Sequence, residues 1–293
     1  MKRIRCFMLA TLIAGGCLTS AVQAQVRITI NKGDAMQIKT TPIDKTLFTA
    51  QYRMTFVADT TKRDKPLTEM MMLNVGANTS LFHSYSKQVV DSIISEHLKA
   101  GLNPGTLGDK LRGIGGQIVY KIYKNYPQGK VTTLEEITIN RFRCEEENAV
   151  PEWELAEDTL TVLSYLCQKA TCSFKGRNYT AWFTTDIPRS EGPWKLHGLP
   201  GLIMKAEDER GDYAFECIAI VNAPDDESIL YGDNGYEPIS RTNFNKQMER
   251  YAADPIGYMT DGAPNVKVVM KNEAGENIRP TNTPYNPIEL AEK

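Results

Sequence analysis

The sequence is poor in histidine and cysteine, with three and six in 293 residues. So few imidazoles and thiols exclude a dense metal centre and a disulfide-held mini-domain. Neither sign of charge dominates: 34 Lys plus Arg stand against 36 Asp plus Glu, a formal net charge of -2. This excludes the basic footprint on which nucleic-acid binding rests. No apolar run reaches the roughly 20 residues a membrane-spanning helix needs. The His-Glu-x-x-His, Gly-x-Ser-x-Gly and Walker patterns are absent, and Gly113-Ile114-Gly115-Gly116 lacks dinucleotide-binding spacing. What remains is an ordinary globular mixture, 41% hydrophobic, 9% aromatic and 24% charged, enough for one sizeable core.

The N-terminus carries an address. Lys2, Arg3 and Arg5 precede an uncharged apolar run from Cys6 to Leu18, and Val22-Gln23-Ala24 supplies a small-x-small cleavage site. These features predict a secretory signal peptide over residues 1–24, cut after Ala24. Ala14-Gly15-Gly16-Cys17 offers a competing lipobox, weakened because Ala14 stands where a large aliphatic residue is usual. The expectation is an exported protein, periplasmic or outer-membrane-associated. No linker composition interrupts residues 25–293, so one domain is predicted.

Short runs at Gln51–Ala58, Glu69–Val75, Ser80–Tyr85, Gln117–Tyr126 and Val131–Phe142 read as strands of an antiparallel meander. Val89, Val90, Ile93, Ile94 and Leu98 form a helical stripe within Ser86–Ala100, stopped by Gly101. Tyr165–Phe174 and Tyr179–Thr184 flank Lys175–Asn178, read as a four-residue hairpin loop, and Leu202–Glu207 and Asp212–Ile220 flank a second hairpin. Ser240 or Thr242 caps a helix running to about Ala252, ended by Asp254-Pro255. The predicted class is α+β: one domain dominated by antiparallel sheet, curved or half-barrel-like, with about two covering helices.

Residues 165–207 hold the most information. Pro200-Gly201 reads as the centre of a type II turn, with glycine at positive φ, and Gly198 gives a second permissive point. Trp182 and Trp194 frame this connection, either stapling it to the core or walling a pocket; packing is the commoner use of tryptophan. Gly198-Leu199-Pro200-Gly201-Leu202-Ile203 spells the signature of the GLPGLI family, which this chain resembles. Tyr165-x-Cys167-Gln168-Lys169-Ala170, Phe174-x-Gly176-Arg177, Ala181-Trp182-Phe183-Thr184, Ile187-Pro188 and Gly192-Pro193-Trp194 strengthen the resemblance. Ser80-Leu81-Phe82 and the ending Asn286-Pro287-Ile288-Glu289-Leu290 extend it over most of the chain. The resemblance implies a secreted protein, mainly of Bacteroidetes, without assigned activity or agreed catalytic residues, sometimes encoded near outer-membrane nutrient receptors.

Other constellations have plain readings. Met70-Met71-Met72 offers soft thioethers, but strand alternation suits core filling better than copper. His83 and His197 are scattered, and His97 sits on the helix stripe. Cys144, Cys167, Cys172 and Cys217 allow three pairings. Cys167 and Cys172 would stand on opposite faces of an unbroken strand, so if oxidised they pair with Cys144 and Cys217, as structural staples, or a bulge folds the strand back. No cofactor or metal site is predicted.

The functional expectation is a non-enzymatic periplasmic module. Its candidate binding residues are Arg177, Trp182, Arg189, Trp194, Lys195, His197, Gly198, Leu199, Pro200 and Gly201. Basic residues concentrated there, Lys175 included, suggest a small anionic or lipidic ligand, or an outer-membrane or periplasmic protein partner. The alternative is a hydrolase-type enzyme built from distant carboxylates such as Glu152, Asp186 or Glu191.

Overall fold

A computed structural model describes residues 24–27, 39–102, 107–111, 114, 116–261, 267–271, 277–278 and 282–290. The predicted signal peptide up to Gln23 lies outside the described residues. The chain runs β1 (Ala24–Arg27), β2 (Thr41–Phe56), β3 (Leu67–Gly76), β4 (Ser80–Ser84), α1 (Tyr85–Lys99), α2 (Leu107–Leu111), β5 (Lys121–Lys124) and β6 (Lys130–Ile137). It continues through β7 (Asn140–Glu147), β8 (Glu154–Val162), β9 (Tyr165–Phe174), β10 (Arg177–Thr184), β11 (Leu202–Asp208), β12 (Tyr213–Asn222), β13 (Ser228–Tyr231) and β14 (Glu237–Pro238). Helices α3 (Arg241–Ala253) and α4 (Pro255–Thr260) follow, then β15 (Lys267–Lys271) and β16 (Asn277–Ile278).

Thirteen strands form one sheet, in the order β14-β7-β6-β5-β4-β3-β2-β12-β11-β10-β9-β8 with β13 added beside β2. All its pairings are antiparallel except β14 with β7. The class is therefore α+β in a single domain, as the sequence predicted, with α1 and α3 the two substantial helices. Alternation along β3 puts Met71, Leu73 and Val75 in the core and leaves Met70 exposed, which places the middle methionine of the triplet among packed side chains.

The sheet is rolled. Strand β9, which ends at the turn holding Lys175, stands nine strand steps from β7 along the sheet order. At a spacing of about 4.8 Å, a flat sheet would separate them by roughly 43 Å. Instead Lys175 Nζ, in that turn, lies 2.9 Å from Glu146 Oε1 of β7. The enclosed face carries the main core, built from Tyr52, Met54, Phe82, Ile122, Tyr179, Phe183 and Phe215 together with Trp194, Leu196 and Leu199 of the connection between β10 and β11. A smaller cluster, Ile137, Phe142, Cys144, Phe244 and Tyr258, joins β6 and β7 to α3 and α4. Ser240 is the N-cap of α3, and its side chain accepts from Asn243 N.

Several local expectations need correction. Val131–Phe142 is two strands, because the chain reverses after Ile137 with Thr138 at φ 59 and no Gly or Pro to mark the turn. The β9–β10 loop has two residues, not four: Lys175 (φ 49) and Gly176 (φ 77) both occupy the left-handed region, the geometry that matches hairpin twist. Gly201 is not at positive φ, so Pro200-Gly201 is no type II turn; the positive φ falls at Gly198, 97°. Gly201 is required for space instead, since a Cβ there would meet Thr184 O at 1.9 Å. The four cysteines are free and buried, so no disulfide staples the described fold. Cys167 and Cys172 both face the core, because the β8–β9 ladder breaks between Leu155 and Thr159 and alternation slips along with it.

Candidate functional site

The connection between β10 and β11 does not run over the surface as a free loop. Leu202 N donates to Ile187 O (3.0 Å) and Ile203 N to Glu191 O (2.9 Å), folding the segment back against the head of β11. Residues 192–197 are buried throughout. Lys124, on β5 and 1% exposed, holds the segment from the opposite wall. Its Nζ donates to Gly192 O (2.7 Å) and Leu196 O (3.4 Å) and pairs with Glu191 Oε2 at 2.6 Å. Ser80 Oγ donates to the same carboxylate oxygen at 2.9 Å. Burial disfavours the charged form of Lys124 and lowers its pKa against the pull of Glu191.

Trp194 sits at φ 53, a strained setting for a bulky residue, and is 1% exposed. Packing holds it there: its ring lies 5.9 Å from that of Phe174 and 6.0 Å from that of Tyr179. Its neighbour Lys195 reaches away from the core into an ionic network. Lys195 pairs with Glu146, and with Glu289 at 2.6 Å. Arg241, the first residue of α3, pairs with Glu135 of β6 at 2.6 Å, Glu146 at 3.4 Å and Glu289 at 3.8 Å. Burial opposes ionisation of Glu146, but Lys195 and Arg241 outweigh it and hold its pKa at about 2. At Glu135 burial wins, and its pKa is raised despite Arg241.

This network edges a cavity of about 50 Å³, lined by Tyr120, Ile122, Thr133, Glu135, Trp194, Lys195, Arg241, Phe244 and Asn245, and by Tyr285 and Pro287–Glu289 of the C-terminal segment. That segment is fastened by Arg177. The guanidinium donates to Ile288 O (2.8 Å), Pro287 O (2.6 Å) and Asn286 Oδ1 (3.2 Å), and it pairs with Asp208 (2.8 Å) and Asp212 (3.0 Å). A wider groove of about 360 Å³ lies beside Arg143, Glu145 and Pro238–Ser240.

Of the ten residues singled out from sequence, Trp194 and Lys195 line the cavity. Arg177 lies in the core beside it, committed to its own ion pairs. Leu199 and Gly201 are buried in the segment, whereas Gly198 and Pro200 are exposed. His197 is 8% exposed; Nδ1 contacts Lys195 O at 3.0 Å, and burial, with Lys124 nearby, lowers its pKa. Trp182 alternates to the other face of β10, half-buried, with Lys169 Nζ 5.9 Å from its ring. Arg189 is half-buried. The basic cluster read as an anion site is internally matched: Lys175, Arg177 and Lys195 all pair with carboxylates of the chain. Neither cavity is lined by Glu152, Asp186 or Glu191.

Sequence reasoning missed Thr133, Glu135, Arg241, Tyr285 and Glu289 as site residues. Glu289 falls inside the recognised Asn286–Leu290 ending and Arg241 follows the predicted cap Ser240, but nothing in the sequence joins them to Lys195. Among the described residues there is no group of three or more His, Cys, Asp or Glu side chains arranged to hold a metal ion, and no helix long and apolar enough to cross a membrane.

The fold and site define a single-domain α+β protein whose rolled sheet is filled by the connection between β10 and β11. A family model described as "Protein of unknown function (Porph_ging)" matches residues 173–205, the stretch that carries this connection. No curated protein matches the chain. Two solved structures, "Structure of PNGF-II in C2 space group" and "Structure of PNGF-II in P21 space group", resemble 71% of this chain at 13% and 15% identity, with TM-scores of 0.48 and 0.46. The chain spans about a third of their length, 33% and 34%.

Proposed function

We propose that this chain is an exported GLPGLI-type protein of the bacterial cell envelope that acts by binding rather than by catalysis. The observation that supports this reading is the cavity itself. Its walls combine aromatic rings with a charge network whose members are mostly already paired. Such a wall suits recognition of a small group on a ligand or on an envelope partner. Intact mass spectrometry of the protein taken from its native envelope tests this. The expected native mass exceeds the denatured mass, and the excess disappears in Asn245→Trp, which fills the cavity. Equal native and denatured masses for the unaltered protein would sink the reading.

One observation favours the enzymatic alternative. Glu135 lines the cavity and shares Arg241 with Glu146, while burial raises the pKa of Glu135 and basic partners depress that of Glu146. Carboxylates pushed apart in this way resemble acid–base pairs. Arg241 and Lys195 occupy the oxygens such a pair would use, which is why binding is preferred.

A further inference from the structure

We propose that the uncovered edge of β7 is a docking site for an extended, lysine- or arginine-bearing segment of a protein partner, which joins the sheet as a further strand. The site is separate from the cavity above, and none of its lining residues is shared with it. Strand β14 pairs with β7 only at Phe142 and Arg143. β7 runs on to Glu147 without a break in its ladder to β6. Among the described residues no strand lies beside that further stretch. Ser240 caps α3, so the chain leaves the edge, and a groove of about 360 Å³ opens there. Arg143, Glu145 and Pro238–Ser240 line it.

The backbone of β7 decides what fits. Ile239 N donates to Arg143 O at 3.0 Å, so Arg143 turns its carbonyl away from β6. Asn148 N, of the opposite parity, donates to Gly129 O at 3.0 Å, on the β6 side. In an antiparallel ladder each orientation recurs at every second residue, so Glu145 turns its N–H and C=O outward as Arg143 does. An extended peptide supplies one acceptor and one donor for these two groups at strand spacing. The opposite sheet edge is built differently: the β8–β9 ladder breaks between Leu155 and Thr159, an irregularity of the kind that deters a further strand. Charge selects the side chains. Arg143 is matched by Asp233 at 2.8 Å, and Lys130, whose charge reaches Glu145, is bonded to Glu147. Glu145 itself is exposed and forms no ion pair among the described residues. A basic side chain opposite it on the incoming strand completes a cross-strand pair.

The test titrates the full chain with acetyl-Val-Lys-Val-Lys-Val-amide and with its counterpart carrying Glu for Lys, followed at the backbone amide resonances of residues 143–147. The lysine peptide is expected to give saturable shifts and to slow hydrogen exchange at the Glu145 amide. The glutamate peptide should bind about fivefold more weakly, and Glu145→Lys should reverse that order. Glu145→Pro removes an N–H that serves no bond to β6, so its thermal midpoint should stay within about 3 °C of the unaltered protein. The lysine peptide should then no longer shift Arg143 or Glu147. Absence of shifts with both peptides, or equal affinity for the two, would overturn the proposal. So would lysine-peptide binding that survives Glu145→Pro, or a collapse of that variant's stability, which would mean that the N–H faces β6. None of these outcomes bears on the cavity, whose occupancy the native mass and Asn245→Trp read separately.

Discussion

Lys124 Nζ lies 2.6 Å from Glu191 Oε2, an ion pair between the middle of the sheet and the connection between β10 and β11. Lys124 is buried, and its other donors serve Gly192 O and Leu196 O. The pair therefore fixes both the charge and the path of the segment that carries Trp194 and Lys195 to the cavity.

Lys124→Met should cost about 3–5 kcal/mol of folding stability, because it strands Glu191 and two carbonyls without their shared donor. Chemical denaturation followed by circular dichroism reads this directly. A loss below about 1 kcal/mol, the worth of an exposed pair, would show that the contact is not built as described.

Gly201→Ala should destabilise by about 1–3 kcal/mol, towards the upper end because the new Cβ meets backbone oxygen. Gly198→Ala faces a different obstacle. Its φ of 97° strains any L-residue, and the new Cβ would lie 2.3 Å from Val150 Cγ1. Val150 is exposed, so the double variant with Val150→Ala should recover the steric part while the backbone part, about 1–2 kcal/mol, persists. Equal stabilities of the single and double variants would remove Val150 from the account.

The ionic network predicts an acid transition. The folded pKa of Glu146, about 2, lies below its ordinary value of 4.5. Its contribution is therefore fully present above pH 4.5 and is lost as the pH falls from there towards 2. The urea midpoint should decline through this window, and Glu146→Gln should show a lower midpoint at neutral pH with a shallower acid decline. Parallel pH profiles for the two proteins would count against the network.

Cys144, Cys172 and Cys217 are pushed up to about 12 by burial, and Cys167 is raised as well. Thiolate is the reactive form, so none of the four should react with a thiol reagent at neutral pH in the folded protein. All four should react in denaturant. Fewer than four on unfolding would reveal a disulfide.

What the sequence made legible was local. The stripe from Val89 to Leu98 gave α1 within a residue at either end, and the run Tyr165–Phe174 coincides with β9. In both, period and composition agree over ten residues or more. The β6–β7 turn was hidden because Thr138 takes a left-handed conformation that the residue type does not announce. Pro200-Gly201 was recognised as special for the wrong reason: conformational freedom was inferred where contact with Thr184 decides. The cavity was half legible. Trp194 and Lys195 stood in a recognisable stretch, but Lys195 meets Glu146 and Glu289 across 49 and 94 residues. Only the rolling of the sheet sets that distance.

The C-terminal segment has a bearing on how the molecule comes to exist. Asn286 Nδ2 donates to Val57 O across 229 residues of chain, and Arg177 grips Pro287 and Ile288 across more than a hundred. In a polypeptide emerging from its N-terminus these contacts form only after residues 286–288 have been made. Until then the buried Arg177 guanidinium lacks its acceptors on Asn286, Pro287 and Ile288, and pairings of such long range assemble slowly. Ile288 packs against the main core from this segment, so the strap that Arg177 holds and the rolled sheet close together.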